Sequence, residues 1–204
     1  MLEPDWDDTS SPQTDLRKMW WDIRFDPEPF ENSAIDECLK ALRETRIHGG
    51  ILLGCFRVSE HKVFDWFASR NRLDEANFFR QFFVSPTVAV ALPELRTEGL
   101  LLDGDGFFGL PEFEWGSSFT LDGEIAEKLV IGGCHMSFPG TPTEAKELGD
   151  RFCKAIFGER YTETQVYRSF DRWHEWFSYV EHLTWLLIDK RYRRIWLLCL
   201  TDND

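Results

Sequence analysis

Four residues near the C-terminus have the types and spacing to do chemistry: Asp171, His174, Ser178 and Glu181. If this stretch is helical, Asp171 lies three positions from His174, Ser178 four and Glu181 seven, so all of them share one face. A neutral imidazole beside carboxylates can serve as a general base or a metal ligand, with the acidic groups raising its basicity. That reading gives a hydrolase-type enzyme built on His174 with Asp171 or Glu181, with or without a divalent metal. A solvated helix face offers the same array, and catalysis also needs a pocket that spacing alone does not supply.

Other candidates are weaker. Cys134-His135 follows Gly132-Gly133 and would present a thiol near a base, but neighbours in extended chain point to opposite sides, and no family signature surrounds the cysteine. Asp103-Gly104-Asp105-Gly106 resembles part of a calcium loop, yet Leu101 stands where the first ligand belongs, so a turn is expected. Gly49-Gly50, Gly54 and Gly132-Gly133 match neither the dinucleotide fingerprint nor the P-loop. Lys190, Arg191, Arg193 and Arg194 place four cations on one turn. They either dock an anion or keep two apolar strands soluble, and the second reading is preferred. Asp202 and Asp204 end the chain, where fraying is the default and ion pairing with that turn the alternative.

The remaining class of site is a binding surface. Asp5, Asp7, Asp8, Asp22, Asp26, Glu28, Glu31, Asp36 and Glu37 are opposed over the same stretch only by Arg17, Lys18 and Arg24. Such a field steers a basic partner, and the interleaved Trp6, Trp20, Trp21 and Phe30 are residues of the kind that anchor interfaces.

Composition agrees with binding. Across 204 residues, 23 basic against 36 acidic side chains give a net charge of -13, which repels phosphate backbones and anionic lipid. Neither nucleic acid nor a membrane is therefore expected as a partner. Five cysteines at irregular spacing, without a C-x-x-C pair, read as buried hydrophobes of a reducing compartment. The acidic beginning is unlike a signal peptide, and no apolar window is long enough for a membrane span, so a cytoplasmic location is expected. No cofactor is expected.

The elements that must position these residues read as follows. Residues 1–15 form an acidic arm and 16–204 a single domain. Strands are expected at Met19–Phe25, Ile51–Phe56, Thr87–Leu92 and Lys128–Ile131, with Leu100–Leu102 and Phe107–Phe108 flanking the Asp103 turn. Helices are expected from Asn32 or Ser33 to Arg46, from Ser59 to Ser69 and from Asp74 to Phe83. Pro111–Gly123 reads as a loop or irregular hairpin. Thr141, Pro142 and Glu144 then form a capping box that opens a helix closed by Gly158. Tyr161–Tyr167 is either a strand or the start of the last helix. Phe170, Trp173, Trp176, Phe177, Val180 and Leu183 make the apolar stripe of that helix, which leads into a hairpin of Thr184–Ile188 and Arg193–Leu200. Neither hairpin strand alternates, so both should lie inside a sheet covered on two faces. The fold class is α+β: a central mixed or mainly antiparallel sheet flanked by about five helices, ending in a helix and an apolar hairpin.

The ending Trp173, Trp176-Phe177, Thr184-Trp185, Asp189, Trp196 to Leu198 and Thr201-Asp202, in a small acidic chain, resembles bacterial immunity proteins that neutralise a cognate toxin. The resemblance implies a non-enzymatic inhibitor that covers a basic active site with acidic and aromatic residues. On this reading Asp5, Asp7, Asp8, Asp22, Asp26, Glu28, Glu31, Trp20 and Trp21 bind a basic protein partner, and the chain is a monomer or weak homodimer. Alternatives are the His174 enzyme and a structural or regulatory subunit without a site of its own.

Overall fold

The two apolar runs at the C-terminus pair with each other over nine residues, from Glu181↔Asp202 to Asp189↔Arg194, and everything else is laid around them. The computed structural model describes residues 16–95 and 109–204. The 1–15 arm, with Asp5, Asp7 and Asp8, and the Asp103 turn with its flanking strands lie outside them.

Among the described residues, six antiparallel strands form one sheet: β1 (Phe25–Pro27), β2 (Gly50–Val58), β3 (Glu114–Trp115), β4 (Thr164–Ser169), β5 (Glu181–Asp189) and β6 (Arg194–Asp202), in the order β1-β2-β6-β5-β4-β3. As the unalternating sequences require, β5 and β6 are central and covered on both sides. Leu186, Ile188, Ile195, Leu197 and Cys199 face one layer, made of α1 (Leu16–Asp22), α3 (Lys62–Ser69), α4 (Phe78–Phe83) and α5 (Pro86–Ala91). Leu183, Trp185, Leu187, Trp196 and Leu198 face the other, made of α2 (Ser33–Glu44), α6 (Leu121–Ile131) and α7 (Pro142–Phe157). The molecule is thus a single α+β domain with helices on both faces of an antiparallel sheet.

Local chemistry explains the ends of α2 and α7. Asn32 caps α2 by accepting from Ala34 N at 2.9 Å. In α7 both halves of the capping box are made: Glu144 N donates to Thr141 Oγ1 at 3.2 Å, and Thr141 N to Glu144 Oε2 at 2.6 Å. Gly158 closes that helix at φ +59, where a side chain would be strained. Gly149 lets α7 lie directly on α6, since a Cβ there would meet Asp122 O at 2.3 Å.

Four expected elements differ. Met19–Phe25 is not a strand: Leu16, Met19, Trp20 and Ile23 recur at helical spacing, and Ile23 N donates to Met19 O, so only Phe25–Pro27 extends. Thr87–Leu92, rich in β-formers, is instead the short helix α5, started by Pro86 and docked through Thr87 Oγ1 donating to Phe25 O at 2.5 Å. Lys128–Ile131 is the last turn of α6, whose stripe Leu121, Ile125 and Leu129 begins inside the segment expected as a loop. Two others are shorter than expected. α3 starts after His61 because Ser59 Oγ accepts from Arg24 N, and α4 starts after Asn77, which sits at φ 61. Tyr161–Tyr167 resolves into a 3₁₀ turn (Tyr161–Glu163) and β4.

The fourth difference matters most for function. No helix spans Phe170–Leu183: residues 170–180 are irregular, and Glu181, His182 and Leu183 pair with Asp202, Thr201 and Leu200 as the start of β5. Strand pairing with β6 wins the last turn of the expected helix. Ser178 does not continue a helix but uses its hydroxyl to donate to the carbonyls of Glu181 (3.0 Å) and Asp202. The apolar stripe is still buried in part, because Trp173 and Phe177 cover the sheet beside Phe83, and Trp173 Nε1 donates to Thr184 Oγ1 at 2.9 Å. These changes leave seven α-helices among the described residues, not five.

Candidate functional site

Without that helix the His174 constellation separates. Asp171 is exposed, and its Oδ2 accepts from Glu112 N at 2.7 Å. His174 is buried, with Nδ1 accepting from Trp176 N at 3.0 Å, so the ring shapes its own loop. Glu181 is held by Arg46 at 2.9 Å and Lys128 at 3.6 Å, a brace tying β5 to the ends of α2 and α6. Each of the three residues has a separate structural task.

Cys134 is no better placed for nucleophilic work. Its N–H donates to the fully buried Asp202 Oδ2 at 2.7 Å, and Asp202 Oδ1 accepts from His48 N at 3.2 Å. Asp202 therefore does not fray; it ties the last strand to two loops, at the end of β6 away from the basic turn. Desolvation and the negative charges of Asp202, Asp204 and Glu181 push the Cys134 thiol above its ordinary pKa, which suppresses the nucleophilic thiolate. His135 packs edge-on against His48 at 5.0 Å rather than serving a thiol. Burial holds Cys38, Cys55 and Cys199 up at about 12, as inert hydrophobes require. Among the described residues, no group of three or more His, Cys, Asp or Glu side chains is arranged to hold a metal ion.

The basic turn is neither an anion dock nor a solvated gatekeeper. Arg193, at φ 53, makes a buried two-pronged pair with Asp65 of α3, both bonds 2.8 Å. Arg191 pairs with Glu163, Arg194 with Glu28, and Lys190 Nζ donates to Asn71 Oδ1 at 2.8 Å. The turn is a joint between the hairpin and three other parts of the chain. Its partners were not visible in the sequence, because they lie 28 to 166 positions away.

Glu28 accordingly leaves the acidic surface. Burial alone would raise its pKa, but hydrogen bonds from Arg194 and Arg57 outweigh this and hold it below the ordinary carboxylate value. A depressed folded-state pKa contributes stability that is complete above the unfolded value and is lost as pH falls through the folded one. Glu28→Gln should therefore lower the urea midpoint at neutral pH and make its decline on acidification shallower. Parallel acid profiles of the two proteins would show that Glu28 contributes nothing.

Among the described residues, what remains of the acidic, aromatic surface is the α1–β1 corner. Trp20 is half-buried, donating Nε1 to Ala76 O at 2.8 Å and stacking on Phe25. Trp21, one residue on, is 88% exposed. Between α1 and the start of α4 runs an open groove of about 550 Å³, lined by Leu16, Arg17, Trp20, Trp21, Ala76, Asn77 and Gln81. Asp22, Asp26 and Glu31 are exposed along the same stretch of chain; Asp22 lies 4.0 Å from His61, and Glu37 is paired with Arg151.

Among the described residues no helix is long and apolar enough to cross a membrane. No protein-family model matches the chain, and no curated protein matches it.

Proposed function

We propose that this is a non-enzymatic, acidic binding protein that docks a basic protein partner on the α1–β1 corner, and that the partner is a toxin whose active site it covers, as bacterial immunity proteins do. The observation that carries the reading is Trp21: a large aromatic side chain, 88% exposed among the described residues, lines an open groove. Buried aromatic anchors supply much of the affinity at protein interfaces. The exposed Asp22, Asp26 and Glu31, within a chain of net charge -13, supply the field that attracts a basic surface. The protein acts in the cytoplasm, as a monomer or weak homodimer.

Expressed with a tag in its native host, the protein should retain a basic protein that is released as salt rises. With that partner purified, Trp21→Ala should weaken binding by at least about thirtyfold, the loss of an aromatic anchor worth ~2 kcal/mol, while leaving the urea midpoint unchanged. Binding indifferent both to salt and to Trp21→Ala would refute the reading.

A further inference from the structure

β2 is nine residues long and β1 only three, so one edge of the sheet is half covered. Phe25, Asp26 and Pro27 of β1 pair with Val58, Arg57 and Phe56, and Glu28 N makes the last bond across this edge, to Cys55 O at 2.8 Å. The chain then turns inward: Phe30 packs edge-on against Trp196 at 5.0 Å, and α2 begins at Ser33. Beyond Cys55, β2 runs on through Leu53 and Ile51 with no strand on its outer side among the described residues.

The pairing register fixes which backbone groups are left there. Val58 N donates directly across to Arg193 O at 2.8 Å, and in an antiparallel ladder such bonded pairs recur at every second residue. Phe56, Gly54, Leu52 and Gly50 therefore turn N–H and C=O towards β6, while Cys55, Leu53 and Ile51 turn theirs outward. Cys55 meets Glu28; Leu53 and Ile51 meet no backbone group among the described residues. Ile51 is only 5% exposed, and backbone groups left unpaired with so little access to water are costly.

Outward N–H and C=O groups on a strand edge are a template for an added strand, and the surrounding charge selects its sign. Asp26 and Glu31 are exposed where β1 leaves the edge, and Asp36 is exposed on the first turn of α2, the helix that packs over Ile51 and Cys55. Against them stands Arg43, two turns on along the same stripe of α2. We propose that the open half of β2 accepts an extended basic segment of the partner as an added strand, bonded to Ile51 and Leu53 and flanked by Asp26, Glu31 and Asp36. The inference rests on reading this chain as a binder of a basic protein, and it assigns the partner's contact to backbone pairing that continues the line of β1.

The test is amide NMR with hydrogen exchange on the full chain, titrated with a capped heptapeptide of alternating lysine and valine and, separately, with its glutamate–valine counterpart. The basic peptide should shift Ile51 and Leu53 saturably and slow exchange of their amides about tenfold, the equivalent of one hydrogen bond gained by each, while Leu52 and Gly54, already bonded to β6, change little. Leu53→Pro deletes an outward N–H, which an edge strand tolerates, and should abolish binding wherever it folds. Glu31→Lys with Asp36→Lys leaves the edge intact and should weaken the basic peptide at least about fivefold. If neither Ile51 nor Leu53 responds, or if the acidic peptide binds as well as the basic one, strand addition is refuted, whatever Trp21→Ala does to partner binding. If both respond while partner binding ignores Trp21, strand addition stands and the corner reading falls alone.

Discussion

Asp65→Ala is expected to destabilise the protein by ~3–5 kcal/mol in urea unfolding, the cost of breaking a buried ion pair by removing one partner. The Arg193 side chain is 7% exposed and that of Asp65 11%, and the guanidinium donates through both Nε and Nη2 at 2.8 Å. Without the carboxylate a charge stays buried beside α3, on a residue already held at φ 53, where non-glycine backbone is uncommon. The loss should spread beyond the pair, because Arg193 belongs to the turn that also carries Lys190, Arg191 and Arg194. Replacing both partners, with Asp65→Leu and Arg193→Met together, should cost less than Asp65→Ala alone, since no unpaired charge remains. A loss under about 1 kcal/mol for Asp65→Ala would mean that the pair behaves as an exposed one.

Phe82→Ala should cost a similar ~3–5 kcal/mol, for a different reason. Phe82 is fully buried, with ring centroids 5.3 Å from Phe56 and Phe83, 5.4 Å from Phe25 and 5.9 Å from Phe78. It joins α4 to both β1 and β2, so truncation leaves a cavity that four rigid rings cannot close. Phe79→Ala, at a half-buried position near the rim, should cost less. Equal losses for the two variants, measured by urea midpoint, would show that the aromatic layer is not centred on Phe82.

Elements whose signals are local could be read from sequence. Thr141, Pro142 and Glu144 define their own capping box, and Gly158 its own stop, so α7 is legible without its neighbours. The unalternating runs of β5 and β6 announce burial on both faces whatever covers them. Elements decided by long-range contacts were misread. The β-formers of Thr87–Leu92 became helical α5, with Pro86 at its start and Thr87 bonded to β1. The stripe from Phe170 to Leu183 satisfies a helical wheel almost perfectly, yet its last residues gain more as partners of Leu200–Asp202.

The candidate sites divide in the same way. His174, Asp171 and Glu181 looked like one site only while a helix joined them; in the fold they bond to Trp176, Glu112 and Arg46. Glu28 looked like surface charge because nothing nearby in sequence reveals Arg57 and Arg194. Trp20 and Trp21 are adjacent in sequence and alike in type, and only the structure distinguishes the anchored ring from the exposed one.

The central claim is that the α1–β1 corner is where a partner binds, and hydrogen exchange of the protein with and without its captured partner tests it most directly. Binding there should slow exchange in residues 16–28 and 74–81 and leave 170–182 unchanged. Protection confined to 170–182, around His174 and Glu181, with the Trp21 corner exchanging as before, would contradict it.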